Sequence, residues 1–178
     1  EEGYDVHLAC RFTGQQDYLK SLGFIIHEVP FSRAGVSMIN EVKTCFSILR
    51  LLRRLRPDVI HTITIKPSLY VGIIARALGV KELIIAVSGL GLVFVSTGGF
   101  ALLRKWIVEL LYKTAVNPKH TRLIFQNKTD LATIQNIVKP HPKNVHLIRG
   151  SGVDLTEYKY TNEPVEEKLV VSLASRLL

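Results

Sequence analysis

The sequence predicts an α/β domain, three layers deep around a mostly parallel sheet. Three observations lead there: short apolar runs rich in β-branched residues, helical patterns lying between them, and a composition that is 47% hydrophobic and 21% charged over 178 residues. A chain this apolar buries a core, which sets aside disordered and fibrous classes. The strand runs are apolar on consecutive positions, as in Leu83-Ile84-Ile85-Ala86-Val87. That pattern suits strands covered on both faces. Strand and helix alternating at this spacing mean right-handed crossovers between parallel neighbours.

In chain order, Tyr4–Cys10 reads as the first strand and Gln15–Leu22 as a helix closed by Gly23. Phe24–Val29 is the next strand. Val36–Leu55 carries Met38, Val42, Cys45, Phe46, Leu49 and Leu52 along one helical stripe. Asp58–Thr62 is a strand, and the helix Pro67–Leu78 starts on proline and stops at Gly79. Strand Leu83–Val87, helix Phe100–Val116, strand Arg122–Gln126, helix Lys128–Val138 and strand Val145–Arg149 complete the series. The succession is Rossmann-like. Residues 1–160 form one domain in this reading, with a polar boundary over Lys159–Glu167 that contains Pro164. The fresh apolar run Leu169–Ala174 reads as a strand of a second domain, so 161–178 is a linker and the start of that domain. With Met38 as the single methionine, residue 1 is not a translation start, and no signal-peptide pattern is present.

Lysine and arginine total 23 against 15 acidic residues, a formal charge of +8. Such an excess suits an anionic partner: phosphate, nucleic acid or an acidic membrane face. Cys10 and Cys45 have neither the number nor the spacing of a zinc site or a disulfide framework, which points to a reducing, cytoplasmic compartment. Between Leu83 and Leu103 no residue is charged, long enough to cross a bilayer. Gly89, Gly91, Gly98 and Gly99 interrupt that stretch, so it reads as a strand, an apolar loop and a helix start.

Ligands of open α/β sheets bind beyond the carboxyl ends of the strands, and four strand ends carry suitable chemistry. The first runs from His61 through Thr62 to Lys66, with His61 read at the cleft edge and Lys66 beside a helix N-terminus that already attracts anions. The second is Ser88-Gly89-Leu90-Gly91, whose glycines let a ligand approach the backbone. As a dinucleotide fingerprint it is weak, because Phe94 stands where a small residue belongs and no helix follows directly. The third is Gln126-Asn127, where Asn127 also suits a helix cap, and the fourth is Gly150-Ser151-Gly152-Val153-Asp154. A nicotinamide-dependent oxidoreductase would need a glycine fingerprint and an acidic residue about twenty positions on, and these strand ends do not supply both. A nucleic-acid module would gather its cations with aromatics on one surface. Here they are spread over several helices, so nucleic acid is not an expected partner. The clusters Arg50, Arg53, Arg54, Arg56 and Arg104, Lys105, Lys113, the latter around Trp106 and Tyr112, suit either solvent or an anionic membrane surface.

Arg56-Pro57-Asp58-Val59-Ile60-His61, then Lys66-Pro67, then Ser88-Gly89-Leu90-Gly91-Leu92-Val93-Phe94, Gln126-Asn127, Gly150-Ser151-Gly152-Val153-Asp154 and Ala174-Ser175-Arg176-Leu177-Leu178 follow one another in register. Together they resemble glycosyltransferase family 4, in the branch that builds bacterial capsule, O-antigen and other surface polysaccharides. The resemblance implies one half of a two-domain GT-B architecture: an N-terminal acceptor-binding domain without its first strand, followed by the first strand of a donor-binding domain. It implies transfer of a sugar from a nucleotide-sugar, a UDP-sugar, to a polyprenyl-linked or saccharide acceptor with retention at the anomeric carbon. No metal or other cofactor is expected. By the same resemblance His61 and Ser88 stand at the reacting centre, and Thr62, Lys66, Gly89, Gly91 and Asn127 line the acceptor side. Gly150, Gly152 and Arg176 face the donor. Many relatives carry histidine where Ser88 stands, so a catalytic histidine is not carried over to that position. A polyprenyl acceptor further implies docking on the inner face of the cytoplasmic membrane through Phe94, Phe100, Trp106 and the arginine clusters.

Overall fold

A computed structural model describes residues 3–32, 37–90, 94, 98–150 and 152–162. The elements are β1 (His7–Cys10), α1 (Gln16–Ser21), β2 (Ile25–Glu28), α2 (Met38–Leu55), β3 (Val59–Ile63), α3 (Ile65–Ala77), β4 (Glu82–Val87), α4 (Gly99–Ala115), β5 (Thr121–Phe125), α5 (Lys128–Val138) and β6 (Val145–Leu147). A single 3-10 turn, Pro142–Asn144, precedes β6. Among the described residues every strand pair is parallel: β1 with β2, and β3-β4-β5-β6 in that order. The strand expected over Leu169–Ala174 lies outside the described residues.

Register decides which side chains form the core. Ile60 lies beside Leu83, Thr62 beside Ile85, Ile85 beside Leu123, and Val87 beside Phe125. These residues share one sheet face and are all buried. They pack with Ile48 and Leu52 of α2, Leu69 and Ala75 of α3, Tyr112 and Ala115 of α4, and Ile134 and Val138 of α5. All four helices therefore lie over the same face. For α3, α4 and α5 the order β3-β4-β5-β6 explains this, because successive right-handed crossovers that step in one direction drop each helix on the same side. The alternate residues tell the opposite story: Val59, His61 and Ile63 are exposed, and Ile84, Ala86 and Ile124 are half-buried. Among the described residues the third layer is thus not completed over β3–β6. The consecutive apolar run of β4 is buried on one side only.

Two boundary differences matter for the site. β3 continues to Ile63, one residue beyond the expected end, and α3 begins at Ile65, two residues before Pro67. Proline is tolerated there because first-turn amides have no intrahelical acceptor in any case. The long helices α3 and α4 cross closely. A Cβ built on Gly72 would stand 2.8 Å from the Ala115 Cβ, so the absence of a side chain at 72 sets the separation of the two helices. No described helix is long and apolar enough to cross a membrane.

Candidate functional site at the carboxyl edge of the sheet

In a parallel sheet every strand points the same way, so the loops that leave the strands emerge on one rim. Ile63 lies beside Ala86, Val87 beside Phe125, and Phe125 beside Leu147. Thr64, Ser88, Gln126 and Ile148 therefore open four neighbouring loops along the same edge. The Ile148 amide donates to the Phe125 carbonyl at 2.8 Å, which carries the β5–β6 ladder to the rim itself.

The second loop leaves β4 through Ser88 and Gly89, both exposed, and returns to the core at Leu90, which is 4% exposed. Gly89 has φ +145°, and no atom of the described residues lies within 4 Å of a Cβ built there. The backbone conformation, not crowding, demands glycine, and the open space is what a close ligand approach needs. Gly150 and Gly152 share these properties, at φ +71° and +74°. After them Asp154 closes a local turn, its Oδ1 accepting from the Thr156 amide at 2.8 Å and the Thr156 hydroxyl at 2.6 Å. These bonds hold the carboxyl below its ordinary range. Gly91 and Arg176 lie outside the described residues.

The first loop departs from expectation. His61 lies beside Ile84 in mid-strand, with its exposed side chain on the face that no described helix covers. It is two residues short of the rim, because β3 runs on to Ile63. Thr62 points the other way and is 4% exposed. Its hydroxyl lies 3.2 Å from the Ser68 hydroxyl and 3.4 Å from the Ile84 carbonyl, so it serves the packing of α3 on the sheet. Period-two geometry puts adjacent strand residues on opposite faces, so this strand does not bring His61 and Thr62 to one ligand.

The residue at the tip is Thr64, at φ +73° and ψ 163°. A β-branched residue in that region carries strain on the order of 1–3 kcal/mol. Its carbonyl accepts from the Ser68 hydroxyl at 2.6 Å and the Ser68 amide at 3.2 Å, which secures the first turn of α3. Nothing in the sequence signals this, since glycine rather than threonine is the usual mark of such a backbone.

Lys66 follows in the same turn and is already engaged. Its Nζ donates to Glu41 Oε1 at 2.7 Å and to the Ser32 carbonyl at 3.1 Å, while the Tyr70 hydroxyl donates to Glu41 Oε2 at 2.8 Å. The Lys66 hydrogen bond holds the Glu41 carboxyl below its ordinary value, against the opposing effect of burial and with help from Tyr70. Burial, and then the Glu41 hydrogen bond, push the Tyr70 phenol upward. The cluster clamps the start of α3 to the start of α2 behind the rim. Glu41 escapes sequence reasoning, because an acid in the first turn of a helix is what the dipole favours by itself. Asn127, exposed at the third loop, caps α5: its Oδ1 accepts from the Asp130 amide at 2.8 Å and its Nδ2 donates to Asp130 Oδ2 at 2.7 Å.

Open α/β sheets bind ligands beyond the carboxyl ends of their strands, so this rim of glycine-bearing loops is the candidate site. The chain belongs to the glycosyl transferase 4-like family, whose profile matches residues 1–127. It is 27% identical over 158 residues to the UDP-Gal:alpha-D-GlcNAc-diphosphoundecaprenol alpha-1,3-galactosyltransferase of Escherichia coli, covering 88% of this chain and 39% of that protein. It is 24% identical over 140 residues to the N,N'-diacetylbacillosaminyl-diphospho-undecaprenol alpha-1,3-N-acetylgalactosaminyltransferase of Campylobacter jejuni, covering 79% of this chain and 37% of that one. The chain thus spans well under half the length of these curated relatives. Among solved structures, MurG of Acinetobacter baumannii aligns over 88% of this chain and 60% of its own, at 16% identity and a TM-score of 0.41.

Proposed function

We propose that this chain is the acceptor-binding half of a GT-B sugar transferase of bacterial surface-polysaccharide assembly. The reaction moves a sugar from a nucleotide-sugar, in our reading a UDP-sugar, to an acceptor hydroxyl on a prenyl-diphosphate-linked saccharide, with retention. Family membership supports the class of enzyme. The names of the two relatives, both acting on diphospho-undecaprenol acceptors, support the acceptor. The observation that carries the reading is the convergence of the Thr64, Ser88–Gly89, Asn127 and Gly150–Gly152 loops on one rim. An opposing domain contributes the donor pocket, to which we assign Arg176 of the segment 161–178. Arginine and lysine side chains and a helix N-terminus stabilise the departing diphosphate there, without a metal.

Ser88, exposed at the head of the β4 loop, replaces His61 as the better-placed group near the reacting centre. The Lys66–Glu41–Tyr70 cluster acts behind the rim, holding α3 in position. The test is transfer by the full-length protein from radiolabelled UDP-sugars to a synthetic prenyl-diphosphate-linked acceptor, with and without EDTA. Lipid-linked product of retained anomeric configuration, equal in both arms, is expected, and the 178-residue chain alone is expected to be inactive. Absence of transfer from every nucleotide-sugar would defeat the reading.

The enzyme works at the cytoplasmic face of the membrane in this proposal, docked through α4. Phe100 is 93% exposed and Trp106 60%, and Leu103, Ile107 and Leu110 continue the same apolar face. Phe94 does not join them, since it packs against the core. Flotation with liposomes tests the docking. Recovery on anionic vesicles that falls when Phe100 and Trp106 become serine is expected, and equal recovery on neutral vesicles would remove the electrostatic part.

A further inference from the structure

Two clefts adjoin at the carboxyl end of β2. The smaller, about 390 Å³, opens at the rim beside Arg11, Asn40 and Lys43. The larger, about 830 Å³, runs between β2 and α2 along Val42, Phe46 and Leu51. Both are lined by Glu28, Pro30 and Lys43, so they adjoin there as two parts of one trough. Its rim end is polar and its body carries an apolar strip. Val42 and Phe46 are 62% and 59% exposed, an unusual cost for side chains of this kind unless something covers them.

The charges are equally one-sided. Among the described residues, Arg11, Lys43, Arg50 and Arg54 line the two clefts against the single carboxylate of Glu28. None of the four cations enters an ion pair among the described residues. Arg50 instead lies over the Phe46 ring, 5.4 Å from its centroid, and Arg54 Nη2 approaches His27 Nδ1 at 3.4 Å. The combined volume suits a ligand of drug size or somewhat larger.

We propose that this trough binds the isoprenoid diphosphate of the acceptor, with the diphosphate between Arg11 and Lys43 and the first prenyl units along Val42 and Phe46. An anionic head at the rim and an apolar chain leading away from it match the order of chemistry along the trough. In that orientation the sugar attached to the diphosphate projects past the rim, towards the loops at the carboxyl edge. The choice of an isoprenoid chain rests on the acceptor class proposed above.

Calorimetric titration of the chain with farnesyl diphosphate, farnesol and inorganic diphosphate, all as monomers, tests the assignment. Farnesyl diphosphate is expected to bind about tenfold more tightly than either part alone. Phe46→Ser is expected to abolish that advantage over inorganic diphosphate. The pair Arg11→Ala with Lys43→Ala is expected to weaken diphosphate itself about tenfold, and Lys43→Arg to restore most of its share. All these positions are exposed, and matching urea transitions confirm that the variants fold. Farnesyl diphosphate binding that survives these variants unchanged would overturn the proposal. So would equally tight binding of a short-chain phosphatidylglycerol. If the full-length protein transfers sugar while the variants leave prenyl diphosphate binding intact, the trough fails and the transferase stands. If the trough behaves as expected but no nucleotide-sugar is used, the transferase reading fails instead.

Discussion

Replacing Gly72 with alanine isolates the contact that sets the α3–α4 crossing. The new methyl would lie 2.8 Å from the Ala115 Cβ and 3.3 Å from the Ala115 carbonyl oxygen. Carbon atoms settle at about 3.5–4.0 Å, so the helices must part by most of an ångström or the chain must bend. Neither obstacle is the mobile end of a side chain. Overpacking of this kind costs about 1–3 kcal/mol, while exchanging glycine for alanine inside a helix returns about 1 kcal/mol. The expected net loss is up to about 2 kcal/mol, read as a lower urea midpoint at unchanged m. Gly99→Ala serves as the control, since no atom of the described residues lies within 4 Å of its Cβ; it should be neutral or slightly stabilising. Combining Gly72→Ala with Ala115→Gly moves the methyl across the interface, and the double mutant should be more stable than the sum of the single effects by about 1 kcal/mol or more. A Gly72→Ala variant that gains the full helix-propensity increment of about 1 kcal/mol, or strict additivity in the cycle, would refute the close-crossing argument.

Glu41→Gln removes the charge that Lys66 and Tyr70 share. Because the pair is part-exposed, at 33% for Lys66 and 12% for Glu41, the loss at neutral pH should be about 1 kcal/mol. The Glu41 carboxyl is held low in the folded state. Its contribution is therefore present above the ordinary carboxylate range and lost as pH falls through the lower folded value. Melting curves from pH 7 to 3 should show a shallower acid slope in the variant, and an unchanged slope would contradict the clamp. His27 supplies a second pH effect. Arg54 can only donate, so the 3.4 Å contact leaves His27 Nδ1 as acceptor and its Nε2–H to donate to His7 Nδ1 at 2.8 Å. Burial, then His7 and Arg54, lower its pKa, so stability should be complete above about pH 6.5 and decline as pH falls towards the folded value. A His27→Gln variant should lose that component, and an identical profile between pH 7 and 5 would argue against it. Gly89→Ala forces a Cβ into φ +145°, so it should cost more than about 1 kcal/mol and reduce transfer by the full-length protein. Unaltered stability and rate would remove Gly89 from the rim.

Much of this protein follows from local chemistry alone. The alternation of β-branched runs with amphipathic helices, punctuated by Pro67 and Gly79, yields the order of elements and the parallel sheet, because side-chain period and crossover handedness are local constraints. The same constraints put Ser88, Gly89 and Asn127 in loops at strand ends, and the structure finds them there. Other outcomes were settled only by tertiary contact. Each residue of strand adds about 3.3 Å, so the extension of β3 to Ile63 leaves His61 two residues short of the rim, while the pairing of Thr62 with Ile85 on the core face buries Thr62. The engagement of Lys66 depends on Glu41, which is 25 residues distant in sequence. The trough along α2 exists because that helix stands off β2 and leaves Val42 and Phe46 exposed. Such pairings join surfaces far apart along the chain, and no local pattern of residues encodes the distance between them.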